Sequence, residues 1–124
     1  MAMSPTLNIL LVDVPNSLRD SLEDVIEDQE NMELVGEAFD PIDMVVTLSE
    51  TGADVVIMGH PNADRVLGIF THLLAENPYL LILTISTIDQ RAFLYQTKIV
   101  REEVFYTVPE DLIARINEAY SAIQ

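Results

Sequence analysis

The stretch ADVVIMGHP, Ala53 to Pro61, decides the fold. Its centre is an unbroken apolar run too short for a helix, with a glycine and a proline closing it, which is how a strand buried on both sheet faces reads. Two further runs have the same character: LNILLVDV (Leu7 to Val14) before it and YLLILTIS (Tyr79 to Ser86) after it. A shorter strand is predicted at MELVGEA (Met32 to Ala38), and a fifth at EVFYTV (Glu103 to Val108).

Helical patterns fill the gaps. After Asn16 or Ser17 as cap, Leu18, Leu22, Val25 and Ile26 fall on one stripe. Asp40 followed by Pro41 reads as an N-cap with proline at the first helical position, opening a helix through Met44, Val45 and Leu48. A third helix is predicted from about Arg65 to Asn77, burying Val66, Ile69, Phe70 and Leu73 before Pro78 stops it, and a fourth over TIDQRAFLYQTKIV (Thr87 to Val100). Pro109 starts the last, with Leu112, Ile113, Ile116, Tyr120 and Ile123 inward. Five apolar strands each followed by a helix predict an α/β fold, a doubly wound five-stranded parallel sheet. Ligands gather at the carboxyl ends of such strands, so the functional loops are those after Val12, Met58, Ile85 and Thr107.

Composition sets the bounds. A chain of 124 residues supports one hydrophobic core, predicted over residues 7–124, with MAMSPT (1–6) as a disordered lead-in. No apolar run approaches the roughly 18 residues of a membrane span. No signal segment opens the chain, so a cytoplasmic location is expected, without membrane contact. Cysteine is absent, which excludes thiol chemistry and disulfides. With 21 acids against 6 bases the formal charge is −15, and direct nucleic-acid binding by this domain is not expected, because such a surface repels phosphate backbones. Acids concentrate in LRDSLEDVIEDQE, where Asp20, Asp24 and Asp28 repeat beside Glu23 and Glu27. That face is either a solvated surface or a docking surface for a basic partner.

Taken in order, ILLVDV, LVGEAFDPIDMV, ADVVIM, AENPYLLILTIS and FYTVP resemble the receiver domains of two-component response regulators, at family-like spacings of 46, 27 and 22 residues between positions 13, 59, 86 and 108. VGEA and AENPYL are similar to the subfamily that often carries a C-terminal helix-turn-helix output domain. The resemblance implies a flavodoxin-like topology with strand order 2-1-3-4-5 and a signalling role in a phosphorelay. It also implies a phosphorylation pocket, which this chain carries in degenerate form. Where the family places two adjacent acids after the first strand this chain has Asp13 and Val14; in place of the phosphate-accepting aspartate it has Gly59, in place of the Thr or Ser it has Ser86, and in place of the lysine before proline it has Val108.

Each loss has a chemical meaning. Glycine offers no carboxylate nucleophile, so no acyl phosphate forms at position 59. Val14 and Gly59 replace the direct magnesium ligands and leave Asp13 alone, a poor site for a cation that needs several oxygens. Val108 presents hydrocarbon where the family pairs lysine with phosphoryl oxygens. A neighbouring loop is expected to close over the vacancy at Gly59. Asp54 cannot substitute, because five strand residues place it roughly 16 Å away at the wrong sheet end. Asp64, in the loop after Gly59, is the candidate displaced acid, against a simpler role with Asn62 in capping the next helix. His60 and His72 lie on different elements and predict no metal site. Gly36, Gly52, Gly59 and Gly68 are scattered and form no phosphate loop. Ser86 reads as a hydroxyl satisfying nearby backbone.

One region remains for function. On a helix, Phe93, Leu94 and Tyr95 span about 200° of circumference, more than one buried stripe covers. Arg91, Lys98, Arg101 and Arg115 gather nearby. The family uses this side for dimerisation and partner binding, so an interaction surface is expected around Tyr95, Lys98, Arg101 and Phe105. The combined reading is a pseudo-receiver: a phosphorylation-independent, non-enzymatic module with no cofactor, binding a protein partner, an output domain or a second copy. The alternatives are a receiver phosphorylated on Asp64 and a small-ligand sensor using the vacated pocket between Asp13, Gly59 and Ser86.

Overall fold

The computed structural model describes residues 6–61, 63, 68–96 and 101–123. Its elements are β1 (Leu7–Val12), α1 (Asn16–Glu27), β2 (Met32–Ala38), α2 (Pro41–Thr51), β3 (Val55–His60), α3 (Gly68–Glu76), β4 (Leu81–Ser86), β5 (Ala92–Tyr95), β6 (Arg101–Val104) and α4 (Pro109–Ile123). They form one sheet of order β2-β1-β3-β4-β5-β6. The first four strands pair in parallel, as the apolar runs predict.

Strand alternation divides the core between two faces. Leu7, Ile9, Leu11, Val55, Ile57, Leu83 and Ile85 meet Leu22 and Ile26 of α1 and Leu112, Ile113 and Ile116 of α4. Leu10, Val12, Val56, Met58 and Ile82 meet Met44 and Leu48 of α2 and Phe70, Leu73 and Leu74 of α3. Helices on both faces make the fold doubly wound.

Among the described residues of the helix predicted over Thr87–Val100 no helix forms, and Thr97 to Val100 lie outside the described residues. Ala92–Tyr95 is instead strand β5, running antiparallel to β4, with Ile85 opposite Ala92 and Ile82 opposite Tyr95. The preceding TIDQR residues make the hairpin turn. Ser86 Oγ accepts from the amides of Ile88 and Asp89 at 3.2 Å each, and the Ser86 amide donates to the Arg91 carbonyl at 2.8 Å. The reason lies in the alternation: Ala92 and Leu94 join the α1/α4 core, while Phe93 and Tyr95 join the α2/α3 core. A helix would bury one stripe of this quartet, whereas a strand between two covered faces buries all of it.

The segment predicted as the fifth strand consequently becomes the sixth and sits one place further out. β6 pairs antiparallel with β5 and so points the same way as β1 to β4, forming the sheet edge opposite β2. It ends at Val104, short of the predicted Val108.

The caps follow local chemistry. Asp40 Oδ1 accepts from the Asp43 amide at 2.8 Å with Pro41 at the first position, as predicted, and Gly52 closes α2 at φ 64°. In α1 neither Asn16 nor Ser17 caps; Pro15 holds that position without a side-chain bond. The third helix starts at Gly68, and its predicted beginning at Arg65 and Val66 lies outside the described residues, as does the lead-in 1–5.

Candidate functional site: a pocket closed by backbone

The carboxyl ends of β1 and β3 lie side by side, with Val12 opposite Met58 in the ladder, so the residues that follow each strand meet. Asp13 leaves β1 with φ 49°, the left-handed region that costs an L-residue about 1–2 kcal/mol. Its amide donates to the Ala38 carbonyl of β2 at 3.0 Å. The turn carries its own carbonyl across the end of β3. A β-carbon on Gly59 would lie 2.5 Å from that Asp13 oxygen, 3.2 Å from Pro15 Cδ and 3.3 Å from Val14 Cα. Position 59 therefore admits glycine alone unless the loop moves. The space that a side chain would fill is occupied by main chain.

The other positions separate. Val14 is half-buried and packs at the border of the α1/α4 core, a hydrophobic role at the position where the receiver resemblance implies a metal ligand. Asp13 is exposed and lines a cleft of about 160 Å³ together with Arg19, Glu37 and Phe39. Ser86 lines a different hollow, of about 180 Å³, with Pro61, Ala63, Asp89 and Arg91. Its hydroxyl serves the hairpin turn, the backbone role predicted for it. Val108 is exposed and belongs to the start of α4, where Asp111 Oδ2 accepts from the Thr107 amide at 3.0 Å and the Val108 amide at 3.4 Å. Those two backbone bonds hold the Asp111 carboxyl below its ordinary range. Because β5 intervenes, the strand leading to Val108 stands two places from β4, one strand width of about 4.8 Å more than direct pairing gives.

Beyond β3, Ala63 is held from beneath. Thr84 Oγ1 and Tyr95 Oη both donate to the Ala63 carbonyl, at 2.7 and 2.9 Å. Asp64 and Asn62 lie outside the described residues. Asp54 is at the opposite end of the sheet, as predicted: its carboxylate accepts from the Asn8 amide at 2.9 Å and registers the entry of β1. Among the described residues no group of three or more His, Asp or Glu side chains gathers around a point that suits a metal ion, and no helix is long and apolar enough to cross a membrane.

The predicted interaction surface needs correction at its centre. Tyr95 is fully buried, edge-to-face with Phe70 at 5.6 Å between ring centres, and is a core residue. Phe93 and Leu94 are buried with it, because the segment is a central strand and not a helix. Lys98 lies outside the described residues. Arg101 is exposed with its guanidinium 5.4 Å from the Phe93 ring centre, and Phe105, just past β6, is 84% exposed. Nearby, Arg115 makes two 2.6 Å bonds to Glu102, which lower the Glu102 carboxyl below its ordinary range. Sequence reasoning missed Pro15 and the Ala63 carbonyl, whose roles depend on where a loop folds back; a proline two residues beyond Asp13 was the available signal.

No family model matches the sequence, and no curated protein matches it. Solved structures do. The response regulator domain of Thermotoga maritima CheB superposes with a TM-score of 0.50 at 28% identity, over 67% of this chain and 62% of that one. The isolated REC domain of RcsB from Salmonella enterica serovar Typhimurium, determined with the phosphomimetic BeF3−, gives 0.52 at 22% identity, over 68% of this chain and 64% of that one. The matched part thus spans less than two thirds of either solved chain. With the β2-β1-β3-β4 order, helices on both faces and these neighbours, the chain has the fold of a response regulator receiver domain.

Proposed function

We propose that this protein is a phosphorylation-independent, receiver-like signalling module of the cytoplasm, a pseudo-receiver that acts through protein contacts and carries out no chemistry of its own. The observation that carries the reading is the Asp13 carbonyl lying 2.5 Å from where a Gly59 β-carbon would stand. Phosphoryl transfer needs a carboxylate in line with the donor and a cation beside it. Here the acceptor position has neither side chain nor room, and Val14 is engaged in packing. The same closure argues against a small ligand between Asp13, Gly59 and Ser86, since Asp13 and Ser86 line different hollows. A receiver without a phosphoryl trigger presents one arrangement of its surface, with populations set by packing alone. Exposed Phe105 offers an apolar contact to an output domain, a partner or a second copy.

Intact-mass spectrometry after incubation with acetyl phosphate and magnesium tests the reading. The expected result is an unchanged mass. A gain of one phosphoryl group, with peptide mapping to Asp64 or Asp13, would overturn it.

A further inference from the structure

From Asp20 to Asp64 the sequence contains no lysine or arginine, and every charged residue in that run is an acid. Within this acidic half, α2 turns an apolar stripe to solvent. Phe39 is 80% exposed, Ile42 79%, Val46 53% and Val45 38%. Ile42 and Val46, four residues apart, share one side of the helix, and Phe39 stands just ahead of the N-cap on the approach to it. A phenylalanine there ordinarily folds onto the fourth helical residue as a hydrophobic staple. That residue is Met44, which is fully buried while Phe39 stays in solvent.

The backbone beneath is held firmly: Asp43 Oδ2 accepts from the Phe39 amide at 3.0 Å, and Asp40 caps the helix. Exposed Asp40 and Glu50 flank the stripe along the chain. Arg19, the base that precedes the acidic run, is already bonded to Glu37 at 3.2 Å and paired with Asp20 at 3.5 Å.

We infer that the Phe39–Ile42–Val46 face of α2 is a docking surface for a basic amphipathic helix of a partner protein. The apolar stripe is helix-shaped and matches anchors at i, i+3 and i+4 of a second helix. Its acidic surround selects lysines and arginines on the flanks of that helix and speeds encounter. A second copy fits worse, because its own acidic α2 face would be repelled, Arg91 and Arg115 are committed to Glu103 and Glu102, and the Arg101 guanidinium stands over the Phe93 ring. The inference goes beyond the reading above and holds whether or not the chain is phosphorylated.

The probe is a synthetic helical peptide with leucines on one face and lysines on the other, compared with a scrambled peptide of identical composition. Binding is followed by fluorescence anisotropy and by amide chemical shifts, with light scattering of the protein alone. The expected result is preferential binding of the amphipathic peptide, the largest shifts at Phe39 to Val46, and weakening as salt rises. The double variant Ile42→Ser, Val46→Ser keeps every charge and, both residues being exposed, keeps the fold by circular dichroism. It should lower affinity about tenfold or more. Absent binding, equal binding of the scrambled peptide, shifts centred on α1, or an unchanged affinity of the variant would overturn the inference. So would a wild-type dimer that the variant dissolves, which would make a second copy the occupant.

Discussion

Placing a single methyl group at position 59 probes the closed pocket directly. In Gly59→Ala the new β-carbon meets the Asp13 carbonyl oxygen at 2.5 Å, and ordinary contact begins near 3.4 Å. The loop must retreat by most of an ångström, yet Pro15 and Val14 stand behind it at 3.2 and 3.3 Å. Overpacking of this kind costs about 1–3 kcal/mol. Restricting the unfolded chain returns about 0.4–1 kcal/mol. The net loss centres on about 1.3 kcal/mol, or roughly 4–8 °C in melting temperature for a domain of this size. Urea denaturation and thermal melts read the change. Gly68→Ala is the control of opposite sign: its β-carbon meets no heavy atom within 4 Å, so it should gain up to about 1 kcal/mol. Adding Asp13→Gly to Gly59→Ala removes the left-handed strain and frees the carbonyl to move, so the two changes should couple by about 0.5 kcal/mol or more. Gly59→Ala melting at or above wild type would refute the packing argument, and with it the claim that the pocket is closed.

Gly59→Asp should be less stable still and should gain no mass with acetyl phosphate; robust phosphorylation of this variant would show that the loop opens readily. Millimolar magnesium should leave the wild-type melting temperature unchanged beyond ionic-strength effects, and specific amide shifts at Asp13 would contradict that. Tyr95→Phe loses the bond to the Ala63 carbonyl and should cost about 0.5–1.5 kcal/mol by urea denaturation, whereas Tyr95→Ala removes a core aromatic and should cost about 3–5 kcal/mol. Asp111 and Glu102 both have folded-state pKa values lowered, the first by the Thr107 and Val108 amides and the second by Arg115. Their contribution is present above the unfolded carboxylate pKa and is lost as pH falls through the folded one. Melts between about pH 5 and pH 2 should therefore show a decline that Asp111→Asn and Glu102→Gln make shallower.

The parallel core of the sheet was legible because strands covered on both faces are apolar at nearly every position, in runs too short for a helix and bounded by turn residues. Asp40-Pro41 and Ser86 were legible for a related reason: caps and turn hydroxyls act on backbone a few residues away. The segment Ala92–Tyr95 was not. Four apolar residues in a row satisfy a helix stripe or a doubly covered strand equally well, and only the presence of core on both sides of β5 decides between them. That decision moved Tyr95 from surface to core and Val108 one strand outward. The sequence alone established that position 59 carries no carboxylate, since glycine has none to offer. Whether its absence leaves a cavity or a closed wall depends on the φ of Asp13 and the path of the next two residues, which come into contact with Gly59 only when β1 and β3 pair across a gap of more than forty residues in the chain.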